Sequence, residues 1–256
     1  MMRKTKIGAN AITSFALLVV LATAYQAMSQ QAMPQDPVTP YATMAPVEQY
    51  LMDRNQEIAL ARSAAPEAIS RDATVLVLGR HGYETAVEGK SGWVCWVGRG
   101  WGIFDWPEFW SPKIRAADCM NPPAARSLLP FVYKRTELLL AGHSKIEVIA
   151  AIKAAIEKKD EKKELPSLEP GAMSYMMAKA SYLADNGGHN GPHLMFYAPI
   201  KDAAAWGANL PNSPVMGVNY WYLSEQSYPQ LQGFPPITVF LVGADKWSDG
   251  TPAPSM

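Results

Sequence analysis

Catalytic signatures are what this chain has least of. It contains no HExxH, no GxSxG or SxxK serine, no GxGxxG and no CxxC, which leaves out the common metalloprotease, serine-hydrolase, dinucleotide-binding and thioredoxin-like patterns. The stretch "EGKSG" carries Gly-Lys-Ser, but Glu84 stands where a phosphate-binding loop has its first glycine. No charge of one sign prevails: 23 Lys and Arg stand against 23 Asp and Glu. A chain so balanced lacks the basic excess that marks nucleic-acid partners or attraction to an anionic membrane. Two cysteines are too few for a zinc ribbon, and the chain has only four histidines.

The N-terminus reads as an export signal. Arg3, Lys4 and Lys6 precede "AITSFALLVVLA", and small residues follow near Ala24 and again at "AMS" before Gln30. This is the anatomy of a secretory signal peptide, so the expected division is a signal peptide over 1–29, a flexible leader over 30–46 and one globular domain over 47–256. The alternative is an uncleaved anchor, the only route to a membrane that the sequence offers. Its uncharged run, Ile7 to Ala24, is 18 residues long, short for a bilayer-spanning helix. Cleavage before Gln30 would remove three cations, leaving 20 basic and 23 acidic residues, a net charge of −3. In the periplasm or outside the cell, Cys95 and Cys119 are expected to form a disulfide; the alternative is two buried thiols acting as small hydrophobes.

Periodicity gives the fold class. The leader carries Pro34, Pro37, Pro40 and Pro46. A helix is expected from Val47, with Val47, Tyr50, Leu51, Ile58 and Ala61 on one face and Pro66 as its stop. "TVLVLG" reads as a buried strand. "YETAVEGKSGWVCWV" reads as two strands joined at Gly89–Gly92, with Trp93, Cys95 and Val97 sharing a face. A short helix is expected in "RTELLLAG". A longer one follows in "SKIEVIAAIKAAIEKKDEKKE", opened by a Ser144–Glu147 capping box and striped by Ile146, Ile149, Ile152 and Ile156. "LMFYAP", "VNYWYL" and "ITVFLVG" read as strands, while "AMSYMMA" suits either strand or helix. "PSLEP" is a possible boundary. Strands on both sides of a helical block predict an α+β fold: a mostly antiparallel sheet with flanking helices, in a single domain.

Three stretches are candidates for chemistry. "ADNGGHNGPHLMFYAP" holds His189 and His193 with Asp185 nearby. Its glycines and proline exclude a helix, so a zinc site would use Asp185, His189 and His193 as loop ligands; the alternative is a turn in which a histidine hydrogen-bonds the backbone, with no bound cofactor. "VLVLGRHGYETA" resembles the histidine phosphatase signature. That resemblance implies His81 as phosphoryl acceptor and Arg80 as phosphate ligand, with Glu84 beside them and His143 as a second histidine. The residues themselves also allow a tight turn between Gly79 and Gly82, with Arg80 paired to an acidic neighbour.

The third candidate is aromatic. Trp93, Trp96, Trp101, Trp106 and Trp110 crowd into 18 residues, and with His189 they could line a groove for a small molecule or glycan. The same rings could serve only to anchor an irregular segment. "EFWSPKIRA", "PHLMFYAP" and "WGANLP" resemble a group of exported bacterial proteins, a resemblance that implies secretion and transfers no catalytic residue. The expected function is binding, or association with the cell envelope, through the aromatic groove. The alternative is a hydrolase, metal-dependent or phosphatase-like, built on His81, His189 and His193.

Overall fold

The computed structural model describes residues 41–104, 106–157, 165–183, 191–221 and 232–253. The strands are β1 (Thr74–Gly79), β2 (Gly82–Val87), β3 (Val94–Gly98), β4 (Ala116–Met120), β5 (Met173–Met176), β6 (His193–Ala198), β7 (Val215–Asn219) and β8 (Thr238–Gly243). The helices are α1 (Arg54–Arg62), α2 (Glu67–Ser70), α3 (Pro122–Ser127), α4 (Leu129–Leu140) and α5 (Lys145–Glu157). All eight strands form one sheet in the order β2-β1-β3-β4-β5-β6-β8-β7. Among the described residues only β1 and β3 pair in parallel, so the chain is α+β with a mostly antiparallel sheet. β4 and β5 pair across the "PSLEP" segment, with Cys119 opposite Tyr175, so that segment divides nothing.

Alternation along the strands builds two cores on the two sheet faces. On one face Val75, Cys95, Val97, Ala117 and Cys119 pack with Ala61 and Ala64, from and just after α1. On the other, Leu76, Leu78, Trp96, Met120, Met195, Tyr197 and Val239 pack with Phe131, Val132 and Leu139 of α4 and Val148, Ile149 and Ile152 of α5. The capping box forms as expected: the Glu147 amide donates to Ser144 Oγ at 3.3 Å, and the Ser144 amide to the Glu147 carboxylate at 2.7 Å. The α5 stripe is rotated slightly from the expected one. Val148 and Ala155 are buried, while Ile146 is 47% exposed. "AMSYMMA" resolves to strand β5. Cys95 and Cys119 face each other across β3 and β4 and are joined by a disulfide.

Three local expectations differ from the structure. The helix expected from Val47 is a 3-10 turn (Val47–Gln49) followed, after a break, by α1. Asp53 interrupts it by capping α1, its carboxylate accepting the Asn55 and Gln56 amides at 3.0 Å each. β2 and β3 are not a hairpin. β2 turns back on β1 instead, with Gly79 opposite Gly82. Gly82, at φ 147°, takes a backbone conformation that side chains disfavour. The chain then passes the start of β1, where the Asp72 carbonyl accepts the Lys90 and Ser91 amides at 2.8 and 3.1 Å, and β3 runs parallel to β1. The short helix expected at "RTELLLAG" extends back to Leu129, with proline in its first turn, where a missing N–H costs nothing.

The signal peptide, the leader through residue 40, the charged tail over 158–164, and Asp185 and His189 lie outside the described residues. Among the described residues, no helix is long and apolar enough to cross a membrane.

Candidate functional site: a methionine-lined cavity with unpaired polar groups

The sheet face that carries Trp96 is not completely filled. Between it, α4 and the segment after β3 lies a cavity of about 310 Å³. Period-two alternation supplies its floor: Trp96 from β3, Asp118 and Met120 from β4, Met176 from β5, and His193, Met195 and Tyr197 from β6. Met216 and Val218 of β7 and Val239 and Leu241 of β8 extend it. Val132 and Arg135, three apart on α4 and so on one helix face, close it from above, and Ile103 and Trp106 form a side wall.

That side wall depends on Gly100. A Cβ there would overlap the carbonyl oxygens of Glu108 and Phe109, so glycine lets the segment fold back on itself. The wall is tied to α1 through Arg99. Its guanidinium, fully buried, meets the Glu57 carboxylate at 2.8 Å and donates to the Tyr50 carbonyl at 2.8 Å and the Val97 carbonyl at 2.5 Å. Glu57 also accepts the Leu78 amide at 3.2 Å. This pair is saturated with partners and is a structural clasp.

Other polar groups of the cavity are not saturated. Among the described residues, four buried side-chain N or O atoms lack a hydrogen-bond partner: Trp96 Nε1, Asp118 Oδ1, Arg135 Nε and Arg62 Nε. The first three belong to residues lining this one cavity. Buried polar atoms are normally paired, because each unpaired one costs about 1–3 kcal/mol. Three of the four thus belong to residues around a single cavity, which makes it the candidate site.

The electrostatics agree. Asp118 is 7% exposed. Burial pushes its carboxyl up to about 7, only partly opposed by a hydrogen bond from Ser174. Ser174 in turn lies 3.0 Å from the Tyr197 hydroxyl. Arg135 is held by the Gly102 carbonyl at 3.0 Å and by the Phe104 ring, 5.4 Å from its guanidinium carbon; burial lowers its pKa. Tyr220, also on the cavity wall, is pushed up to about 12 by burial, with Arg135 and Asp118 pulling in opposite senses. Asp118 stands in none of the ion pairs among the described residues.

His193, 5% exposed, stands at the entrance of β6, and its Nδ1–H donates to the Gly191 carbonyl at 2.8 Å. This is the turn-ordering role that the glycine-rich stretch allowed. Burial lowers its pKa, with the carbonyl opposing.

The remaining sequence candidates lie elsewhere. Arg80 and His81 occupy the exposed β1–β2 turn, Arg80 paired with Glu48. Glu84 pairs with Arg54 at 2.7 Å. Where the phosphatase signature would have a helix, this chain has β2. His143 lies in the α4–α5 turn, 4.0 Å from Glu147. None of these residues lines the cavity. No group of three or more His, Cys, Asp or Glu able to hold a metal occurs among the described residues.

The tryptophans divide among three environments. Trp96 and Trp106 line the cavity. Trp101 is core, donating to Thr136 Oγ1 at 3.2 Å, and Trp110 packs edge-on against Phe109. Trp93 belongs to the opposite face, against Tyr175.

Asp118, Arg135 and Tyr220 were not singled out from the sequence. Asp118 did leave a signal there: it is the lone charge in "AADCM", an otherwise apolar strand.

Scans against protein-family models, curated proteins and solved structures found no match to this chain.

Proposed function

We propose that this is an exported binding protein whose methionine-lined cavity takes up a small, largely apolar molecule. The observation that carries the reading is that Trp96, Asp118 and Arg135, each with a buried, unpartnered polar atom (Nε1, Oδ1 and Nε), all line one apolar cavity. Met120, Met176, Met195 and Met216 support it, because thioether side chains adapt to a ligand's shape. The volume, about 310 Å³, is at the small end of ligand pockets. Export is supported by the N-terminal pattern, by the resemblance to exported bacterial proteins and by the disulfide.

The test is a titration of the purified protein with a neutral aromatic probe, 2-acetylnaphthalene, followed by calorimetry and tryptophan fluorescence. Saturable binding is expected, with a change in emission from Trp96 and Trp106. Met176→Trp fills the cavity from β5 and should weaken binding at least tenfold. Absence of saturable binding by the folded protein of both this probe and its near-isosteric acid, 2-naphthoate, or undiminished binding by Met176→Trp, would overturn the reading.

A further inference from the structure

The polar groups of the cavity narrow the ligand class. Arg135 presents a cation with an unpartnered Nε–H. Trp96, directly opposite Asp118 in the β3–β4 register, adds an unpartnered indole N–H. Both are donors with no acceptor among the described residues. A guanidinium and an indole on the walls of one apolar cavity suit a carboxylate.

The other charges around Asp118 decide whether a carboxylate can be tolerated. From α1 and the segment after β3, Glu57 and Arg99 cancel each other as a pair. From β6, His193 has its pKa lowered and is neutral at and above pH 7. Tyr197 of β6 and Tyr220 after β7 are phenols, and Ser174 of β5 is a neutral hydroxyl. From α4 comes Arg135. With Asp118 ionised the cavity is electrically balanced and repels a monoanion at one wall. With Asp118 protonated it carries one net positive charge, and the carboxyl becomes a donor.

Resting on the binding reading above, we propose that the cavity selects an apolar monocarboxylate, held at Arg135 and Trp96, and that binding delivers one proton from solvent to Asp118. The proton adds to the Asp118 carboxylate, which then donates a hydrogen bond to the ligand instead of opposing its charge. No bond of the ligand breaks. The position of Asp118, about 7 for the empty cavity, puts this exchange in the neutral range. Below it the site is already protonated and affinity is flat with pH. Above it affinity falls, toward tenfold per pH unit, because each bound ligand must bring a proton.

The experiment compares 2-naphthoate with neutral, nearly isosteric 2-acetylnaphthalene, by calorimetry in two buffers of different ionisation heat. At pH 6 the acid is expected to bind at least tenfold more tightly than the ketone. At pH 8 binding of the acid takes up close to one proton, and binding of the ketone takes up none. In Asp118→Asn the proton uptake and the pH slope vanish. Arg135→Met should lower the affinity for naphthoate at least tenfold while sparing the ketone; the comparison of wild type with Asp118→Asn does not depend on that variant folding. Equal affinities for acid and ketone, or proton uptake that persists in Asp118→Asn, would overturn the monocarboxylate proposal and leave the binding cavity standing. Failure of both probes to bind removes both.

Discussion

Replacing Asp118 by asparagine should make the protein more stable at pH 8 and reverse the pH dependence of its stability. Burial raises the Asp118 carboxyl from the ordinary 3.8 of an aspartate to about 7. A carboxyl raised in the folded state is protonated more readily there than in the unfolded chain. The folded state therefore holds the extra proton between about pH 4 and 7, and stability falls as pH rises through that window. At about 1.4 kcal/mol per unit, the full cost of keeping this carboxylate ionised is about 4 kcal/mol. Asparagine removes the charge at nearly constant shape but still buries a polar amide with incomplete partners, a penalty of about 1–3 kcal/mol. The net expectation is a gain of about 1–3 kcal/mol at pH 8 and a loss of about 1–3 kcal/mol at pH 4, where Asp118 is already neutral and only the amide penalty remains.

His193 works in the opposite sense. Its lowered pKa makes stability rise with pH just below 6.5. Wild type should thus show a shallow profile just below pH 6.5, where the two oppose each other, and a clear decline toward 7, while Asp118→Asn should show only the rise. Urea denaturation from pH 4 to 8.5, with the disulfide intact, measures this directly. At pH 8 the expected gain corresponds to roughly 2–10 °C in melting temperature for a chain of this size. If Asp118→Asn is less stable than wild type at pH 8, or keeps the wild-type decline between pH 4 and 7, the assignment of Asp118 as a strained, solvent-deprived carboxyl is wrong.

Arg99→Met should destabilise the protein by about 3–5 kcal/mol in urea melts, because it leaves the Glu57 carboxylate buried without its cation; adding Glu57→Gln, which keeps an acceptor for the Leu78 amide, should recover part of the loss. His193→Ala should cost about 1–2 kcal/mol, the scale of its bond to the Gly191 carbonyl, read by the same melts. Replacing Cys95 and Cys119 together by alanine opens a loop of sequence separation 24 and should cost about 3 kcal/mol; thiol titration of the denatured, unreduced wild type should find no free cysteine.

Much of the secondary structure was legible in the sequence because its causes are local. The Ser144–Glu147 box is closed by groups three residues apart. The run "TVLVLG" and the alternation of His193, Met195 and Tyr197 report burial directly. Cys95 and Cys119 needed only an even cysteine count and a compartment. The pairing of β2 was misread because a hairpin after β1 and one before β3 use similar glycine turns. The choice is made by which edge of β1 each strand reaches, and that is a property of the whole sheet. The site was less legible still. Nothing local tells that Asp118 of β4 and Arg135 of α4 border one cavity, or that Arg99 is already engaged by Glu57. A side chain's type is written in the sequence, but whether its hydrogen bonds are met depends on neighbours brought from distant segments. Unmet bonds around a cavity, here the mark of the site, exist only once the sheet and α4 have packed.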